Sequence, residues 1–151
     1  MNNGNSAWYK SINKSPLTPP GWIISGVWAI LYVLITVSGI VFLTTTGSSG
    51  VRSTGFFYYC VAWVLNLSWS QIFFNYQRPD LSLIVIVFMI ISIAYTIYEF
   101  SKVSRTASYL LVPYLVWVIF ATNLNSYIVG CNKQYSMKFL PSFLVKGWIC
   151  K

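Results

Sequence analysis

A chain of 151 residues, 56% hydrophobic and only 8% charged, is one domain with too few charges to cover a water-facing surface. Its net charge of +8 sits in loops and tails without a basic stripe or recognition motif, which excludes a nucleic-acid binder and points to membrane topology and anionic headgroups. The composition predicts an all-α integral membrane protein, a bundle of four transmembrane helices in one membrane domain over residues 1–151.

Met1–Pro20 is polar and contains no apolar core of a signal peptide. Within it, Ser15-Pro16-Leu17-Thr18-Pro19-Pro20 forms a stiff turn, because each proline fixes its own backbone and pushes the preceding residue to an extended shape. The first span is expected over residues 22–43 and ends in the polar loop Thr44-Thr45-Thr46-Gly47-Ser48-Ser49-Gly50. Trp22 reads as an interfacial anchor, while Trp28 and Tyr32 lie one turn apart within the span.

The second span covers 56–74 and closes at Asn75–Asp80, where Pro79 breaks the run and Asp80 reads as a solvated loop charge. Cys60, in an apolar stretch, is expected to behave as a small buried hydrophobe. Trp63, Asn66, Trp69, Ser70 and Phe73 share one broad face. An unpaired amide in hydrocarbon costs several kcal/mol, so Asn66 must point into the bundle, either as an interhelical hydrogen bond or as a ligand contact.

The third span covers 81–100, with Glu99 three residues before Lys102 as a helix-surface pair. The fourth covers 109–129 and ends at Gly130. Pro113, Trp117, Phe120, Leu124 and Tyr127 run down one of its faces, and Ala121 leaves room for a ligand or a neighbouring helix. Residues 131–151 form a basic tail, in which Phe139–Ile149 is too short to span and reads as interfacial, with Trp148 as an anchor.

Four spans place Lys10, Lys14, Arg78, Lys133, Lys138, Lys146 and Lys151 on one side, against Arg52, Lys102 and Arg105 on the other. The positive-inside rule puts both termini in the cytosol.

The catalytic inventory is nearly empty. There is no histidine, the acids are Asp80 and Glu99 alone, and Cys60, Cys131 and Cys150 lack metal-ligand spacing, so no catalytic residue and no metal are expected. Without an intramembrane charge pair, coupled transport also lacks its machinery. Trp28, Trp69 and Trp117, on three separate helices, instead predict an indole-lined pocket for a flat, largely apolar ligand. Leu124-Asn125-Ser126-Tyr127 followed by Lys133 fits the loose cholesterol pattern L/V-x(1–5)-Y-x(1–5)-K/R.

Four stretches, in order, resemble the translocator protein family, also called tryptophan-rich sensory proteins or peripheral-type benzodiazepine receptors. Trp8-Tyr9 with Lys14-Ser15-Pro16-Leu17-Thr18-Pro19-Pro20 looks like the family's WY…KPSWTPP loop. Val27-Trp28-Ala29-Ile30-Leu31-Tyr32 is similar to the helix that follows it. Leu65-Asn66-Leu67-Ser68-Trp69-Ser70-Gln71-Ile72-Phe73-Phe74 resembles the LN-x-x-W-x-x-IFF motif. Leu111-Val112-Pro113-Tyr114-Leu115-Val116-Trp117, continuing through Phe120-Ala121-Thr122-Asn123-Leu124-Asn125, looks like the last helix.

The resemblance implies a helical bundle, usually a homodimer in lipid, that binds porphyrins, sterols in animals and synthetic isoquinoline- or benzodiazepine-type ligands, with no separate cofactor. Carried over by position, the pocket involves Ile24, Trp28, Asn66, Trp69, Trp117, Ala121 and Leu124, and the sterol motif Leu124, Tyr127 and Lys133. In a eukaryote the host membrane would be the mitochondrial outer membrane or another intracellular one. The family has five helices and its first precedes the WY loop, so this chain is expected to lack that helix. Leu17 stands where the family has a loop Trp, Leu81 where it has a ligand-contacting Trp, and Ser126 where some bacterial relatives carry an aromatic used in porphyrin photochemistry. The leading expectation is a binding protein. Light- or oxygen-dependent porphyrin degradation assisted by Trp28, and a shortened interaction protein that works with a membrane partner, are the alternatives.

Overall fold

The computed structural model describes residues 7–132. It contains a short helix α1 (Ala7–Ser11) and four long ones: α2 (Gly21–Thr44), α3 (Ser49–Ser70), α4 (Pro79–Ser101) and α5 (Arg105–Cys131). No strand occurs among the described residues. The expected basic tail, including Lys133 and Trp148, lies outside them.

Each boundary has a local cause. Pro20 precedes α2 with a non-helical backbone. α3 runs on through a wider π-type turn, Gln71–Asn75, and the chain reverses at Gln77, where φ is 53°. Pro79 occupies the first turn of α4, where its missing N–H costs nothing, and Asp80 beside it complements the positive helix end. Asp80 is no solvated loop charge. It is largely shielded and takes a two-pronged contact from Arg78, at 3.0 and 2.7 Å. Ser104 caps α5, its Oγ accepting from Ala107 N at 3.3 Å.

Helices α2, α4 and α5 are each long and apolar enough to cross a membrane. α3 differs from the expected span by starting at Ser49 rather than Phe56, and its opening turns carry Ser49, Gly50, Arg52, Ser53 and Thr54, which dilute its apolar character. Its 22 residues still rise about 33 Å, the length of a span. The outer faces are apolar, with Ile30, Phe57, Val64 and Val116 all exposed, as in a chain whose solvent is lipid. Cys60 belongs to this outer face and is exposed, not buried as its apolar neighbourhood suggested; Ala62, two residues on, takes the inward position.

Across the bundle the order is α3, α4, α5, α2. α4 packs against α3 and α5, α2 packs against α5, and α2 touches α3 only lightly. Ile86, Met89 and Ile93 of α4 with Leu111 and Val118 of α5 fill the centre. α2 and α3 come close together at the end away from the proline loop. There Phe42 stacks on Phe100 with ring centroids 3.8 Å apart. A Cβ on Gly55 would lie 2.9 Å from Phe42 Cζ, and one on Gly39 would lie 2.6 Å from Tyr59 Oη. Small residues let the helices meet there. Buried polar groups are tied across helices: Ser38 Oγ donates to Ala107 O at 2.6 Å, joining α2 to α5. The Asn125 amide, in the orientation that satisfies both its ends, accepts from Ser82 Oγ at 2.8 Å and donates to Pro79 O at 3.1 Å, joining α5 to the start of α4. At the far end of α4, Lys102 Nζ meets Glu99 Oε1 at 2.8 Å, the pair expected from their spacing.

Candidate functional site

Between α2 and α3, which touch only lightly, lies a cleft of ≈ 330 Å³ backed by α5. All seven pocket positions expected from the sequence line it: Ile24 and Trp28 from α2, Asn66 and Trp69 from α3, and Trp117, Ala121 and Leu124 from α5. The helical period explains this. Residues three, four or seven apart fall on one face, and each of these helices turns that face to the gap.

The indoles pack together as well as facing the cleft. Trp28 and Trp69 approach to 6.2 Å between ring centroids at an interplanar angle of 32°, and Trp69 stacks on Phe73 at 5.2 Å. Trp28 also meets Tyr32 at 5.7 Å and the edge of Tyr114 at 6.5 Å. The result is a continuous aromatic wall joining α2 and α3, with Trp117 and Phe120, 5.5 Å apart, on α5.

Asn66 is 2% exposed and its amide is engaged inside the protein. Tyr32 Oη donates to Asn66 Oδ1 at 3.0 Å, Asn66 Nδ2 donates to Tyr114 Oη at 3.0 Å, and the Tyr114 hydroxyl reaches Met89 Sδ at 3.4 Å. This chain crosses α2, α3, α5 and α4 in turn. Of the two roles open to Asn66, the interhelical hydrogen bond is present in the structure. Tyr114 is the residue that sequence reasoning missed. Its signal was its position three residues before Trp117, on the same inward face.

One end of the cleft is covered by the N-terminal segment. Tyr9 and Thr18 line the cavity, and the Tyr9 ring rests on Phe73 and Phe74 at 6.3 and 6.0 Å. Burial raises the Tyr9 phenol above its usual pKa. Lys14 Nζ donates to Tyr9 O at 2.7 Å and sits 4.3 Å above that ring. A reciprocal clasp holds the segment to the end of α5: Asn13 N donates to Asn132 Oδ1, and Asn132 Nδ2 donates to Asn13 O, both at 3.1 Å.

Two residues of the sterol pattern fall among the described ones. Leu124 lines the cleft, Tyr127 is partly buried and is not among the lining residues, and Lys133 lies outside the described residues. The three departures from the family pattern also fall away from the cavity. Leu17 and Leu81 are exposed, and Ser126 Oγ bonds back to Thr122 O. No lining residue carries a charge, and no group of metal-ligating side chains occurs among the described residues. The chemistry available is aromatic stacking, apolar contact and neutral hydrogen bonding.

The model of the TspO/MBR family matches residues 1–130. Tryptophan-rich protein TspO of Chlorobaculum tepidum is 37% identical over 127 residues, covering 84% of this chain and 80% of that protein. The tryptophan-rich sensory protein of Cereibacter sphaeroides is 30% identical over 118 residues, or 78% of this chain and 72% of its own length. The translocator protein of Bos taurus is 31% identical over 119 residues, covering 78% and 70%.

Proposed function

The chain belongs to the TspO/MBR family, and from that premise we propose that it is a membrane-embedded binding protein for flat apolar ligands such as porphyrins or sterols. The observation that carries this reading is the convergence of Ile24, Trp28, Asn66, Trp69, Trp117, Ala121 and Leu124 on one uncharged cleft. A flat ring system slides between α2 and α3, stacks against Trp28, Trp69 and Trp117, and exchanges lipid contact for aromatic contact. The Tyr32–Asn66–Tyr114 chain keeps the walls apart by a set distance, so the slot is present before the ligand arrives. The N-terminal segment, clasped at Asn132, closes the end. Membrane lipid and a second copy of the chain are the partners that this reading takes, with both termini on the cytosolic side as the Lys/Arg distribution favours.

The test is a protoporphyrin titration of the detergent-purified chain, following tryptophan quenching and the porphyrin absorption band. Saturable binding is expected, weakened about tenfold by Trp28→Ala or Trp117→Ala through lost stacking and contact area, and unchanged by Trp148→Ala in the tail. Absence of saturation in folded protein, or equal loss from Trp148→Ala, refutes the reading.

A further inference from the structure

Two donors in the cleft wall have no partner. Trp69 Nε1 and Trp117 Nε1 are both shielded from solvent, and no hydrogen bond reaches either. They are the only buried side-chain nitrogens or oxygens among the described residues left in that state. An indole N–H can only donate, so nothing else satisfies it. Native proteins pair nearly all such groups, and a pair of exceptions in one cavity calls for a cause. Both side chains line the cleft, one on α3 and one on α5, and Trp69 is 8% exposed. The amide and phenol groups at the back of the cleft are engaged elsewhere: the Tyr32, Asn66 and Tyr114 side chains with one another, Asn125 with Ser82 and Pro79.

Resting on the binding function proposed above, we propose that these two indole N–H groups form the polar anchor of the cleft. They select an uncharged, flat, apolar ligand that carries an oxygen acceptor, a ketone or ester carbonyl, over the matching hydrocarbon. The net worth of an ordinary hydrogen bond is small because donor and acceptor both give up water to form it. Here water does not reach the donors, so only the ligand is desolvated, and a small turn of each indole toward the carbonyl relieves an existing penalty. A carboxylate does not serve. With no cation among the lining residues its burial is unfavourable, and an acidic arm on a ligand stays at the end under the N-terminal segment, where Lys14 lies over Tyr9.

Two matched pairs of probes test this on the full chain in micelles: mesoporphyrin dimethyl ester against etioporphyrin, and 5α-cholestan-3-one against 5α-cholestane. Each pair shares a ring system and differs in its carbonyl groups. The expected result is that the oxygenated member of at least one pair binds about tenfold more tightly, the equivalent of one well-made hydrogen bond. Trp69→Phe and Trp117→Phe, which keep an aromatic ring and lose the N–H, reduce that ratio toward one. In protein carrying ¹⁵N-labelled tryptophan, both indole N–H resonances move downfield with the oxygenated probe alone. The pair that shows the preference tells tetrapyrrole from sterol. Equal affinity within both pairs, or a ratio that survives both Phe variants, overturns the anchor and leaves the binding function standing. Failure of all four probes to bind folded protein overturns the binding function and the anchor with it.

Discussion

Replacing Asn66 with leucine separates its structural role from a ligand-contacting one. The substitution keeps the volume and removes an amide that holds two hydroxyls, Tyr32 Oη and Tyr114 Oη, each at 3.0 Å. Interhelical hydrogen bonds in membrane bundles average about 0.6 kcal/mol and reach about 1.7, so losing two costs about 1–3 kcal/mol. Tyr32→Phe removes the first of them and leaves Asn66 Oδ1 unpaired, at a cost of about 0.6–1.7 kcal/mol. If the pair is coupled as the geometry requires, the double variant loses less than the sum of the singles by a similar amount, about 0.6–1.7 kcal/mol. The assay is reversible unfolding of the micellar protein by added dodecyl sulfate, read by tryptophan emission. Additive single effects, or an Asn66→Leu protein as stable as the native one, refute the reasoning. A variant of undiminished stability that has lost porphyrin affinity returns Asn66 to the role of a direct ligand contact.

Three further outcomes follow from the packing. Gly55→Ala places a methyl 2.9 Å from Phe42 Cζ, whose ring is stacked on Phe100, and is expected to cost about 1–3 kcal/mol in the same unfolding assay. Gly26→Ala meets nothing within 4 Å and is expected to be neutral or to stabilise α2 by up to about 1 kcal/mol, so equal effects at the two glycines would contradict the packing described. Asn132→Ala removes both bonds of the clasp, and limited trypsin digestion should then cut after Lys10 and Lys14 several times faster. Unchanged cleavage would mean that Tyr9 and its aromatic neighbours hold the segment unaided.

Much of the molecule is legible in the chain itself. A hydrophobic run of roughly 20 residues predicts a span because every backbone polar group in lipid must be satisfied within the helix. The runs at 22–43, 81–100 and 109–129 accordingly fall inside α2, α4 and α5. Face membership is legible for the same local reason. Trp28 and Tyr32, or Trp117, Ala121 and Leu124, share a side at helical spacing whatever surrounds them, and these residues meet in one cleft. Where local signals misled, the cause was the neighbour. Cys60 sits in an apolar stretch but points outward, and the start of α3 extends to Ser49 through residues that composition assigned to a loop.

Only the tertiary structure decided which helix lies beside which. Periodicity within one helix carries no information on the order α3, α4, α5, α2, and that order is what parts α2 from α3 and leaves the cleft between them. The partners of Asn66 lie 34 and 48 residues away, on α2 and α5, and no spacing in the sequence connects them. The unpaired indoles are of the same kind. That Trp69 and Trp117 carry donors is plain from their names, but whether a donor finds an acceptor depends on distances between segments, which packing sets. The sequence by itself therefore determined the spans and the inward faces, because those depend on neighbours three and four residues away. The cavity and its hydrogen bonding were decided by contacts between residues far apart in the chain.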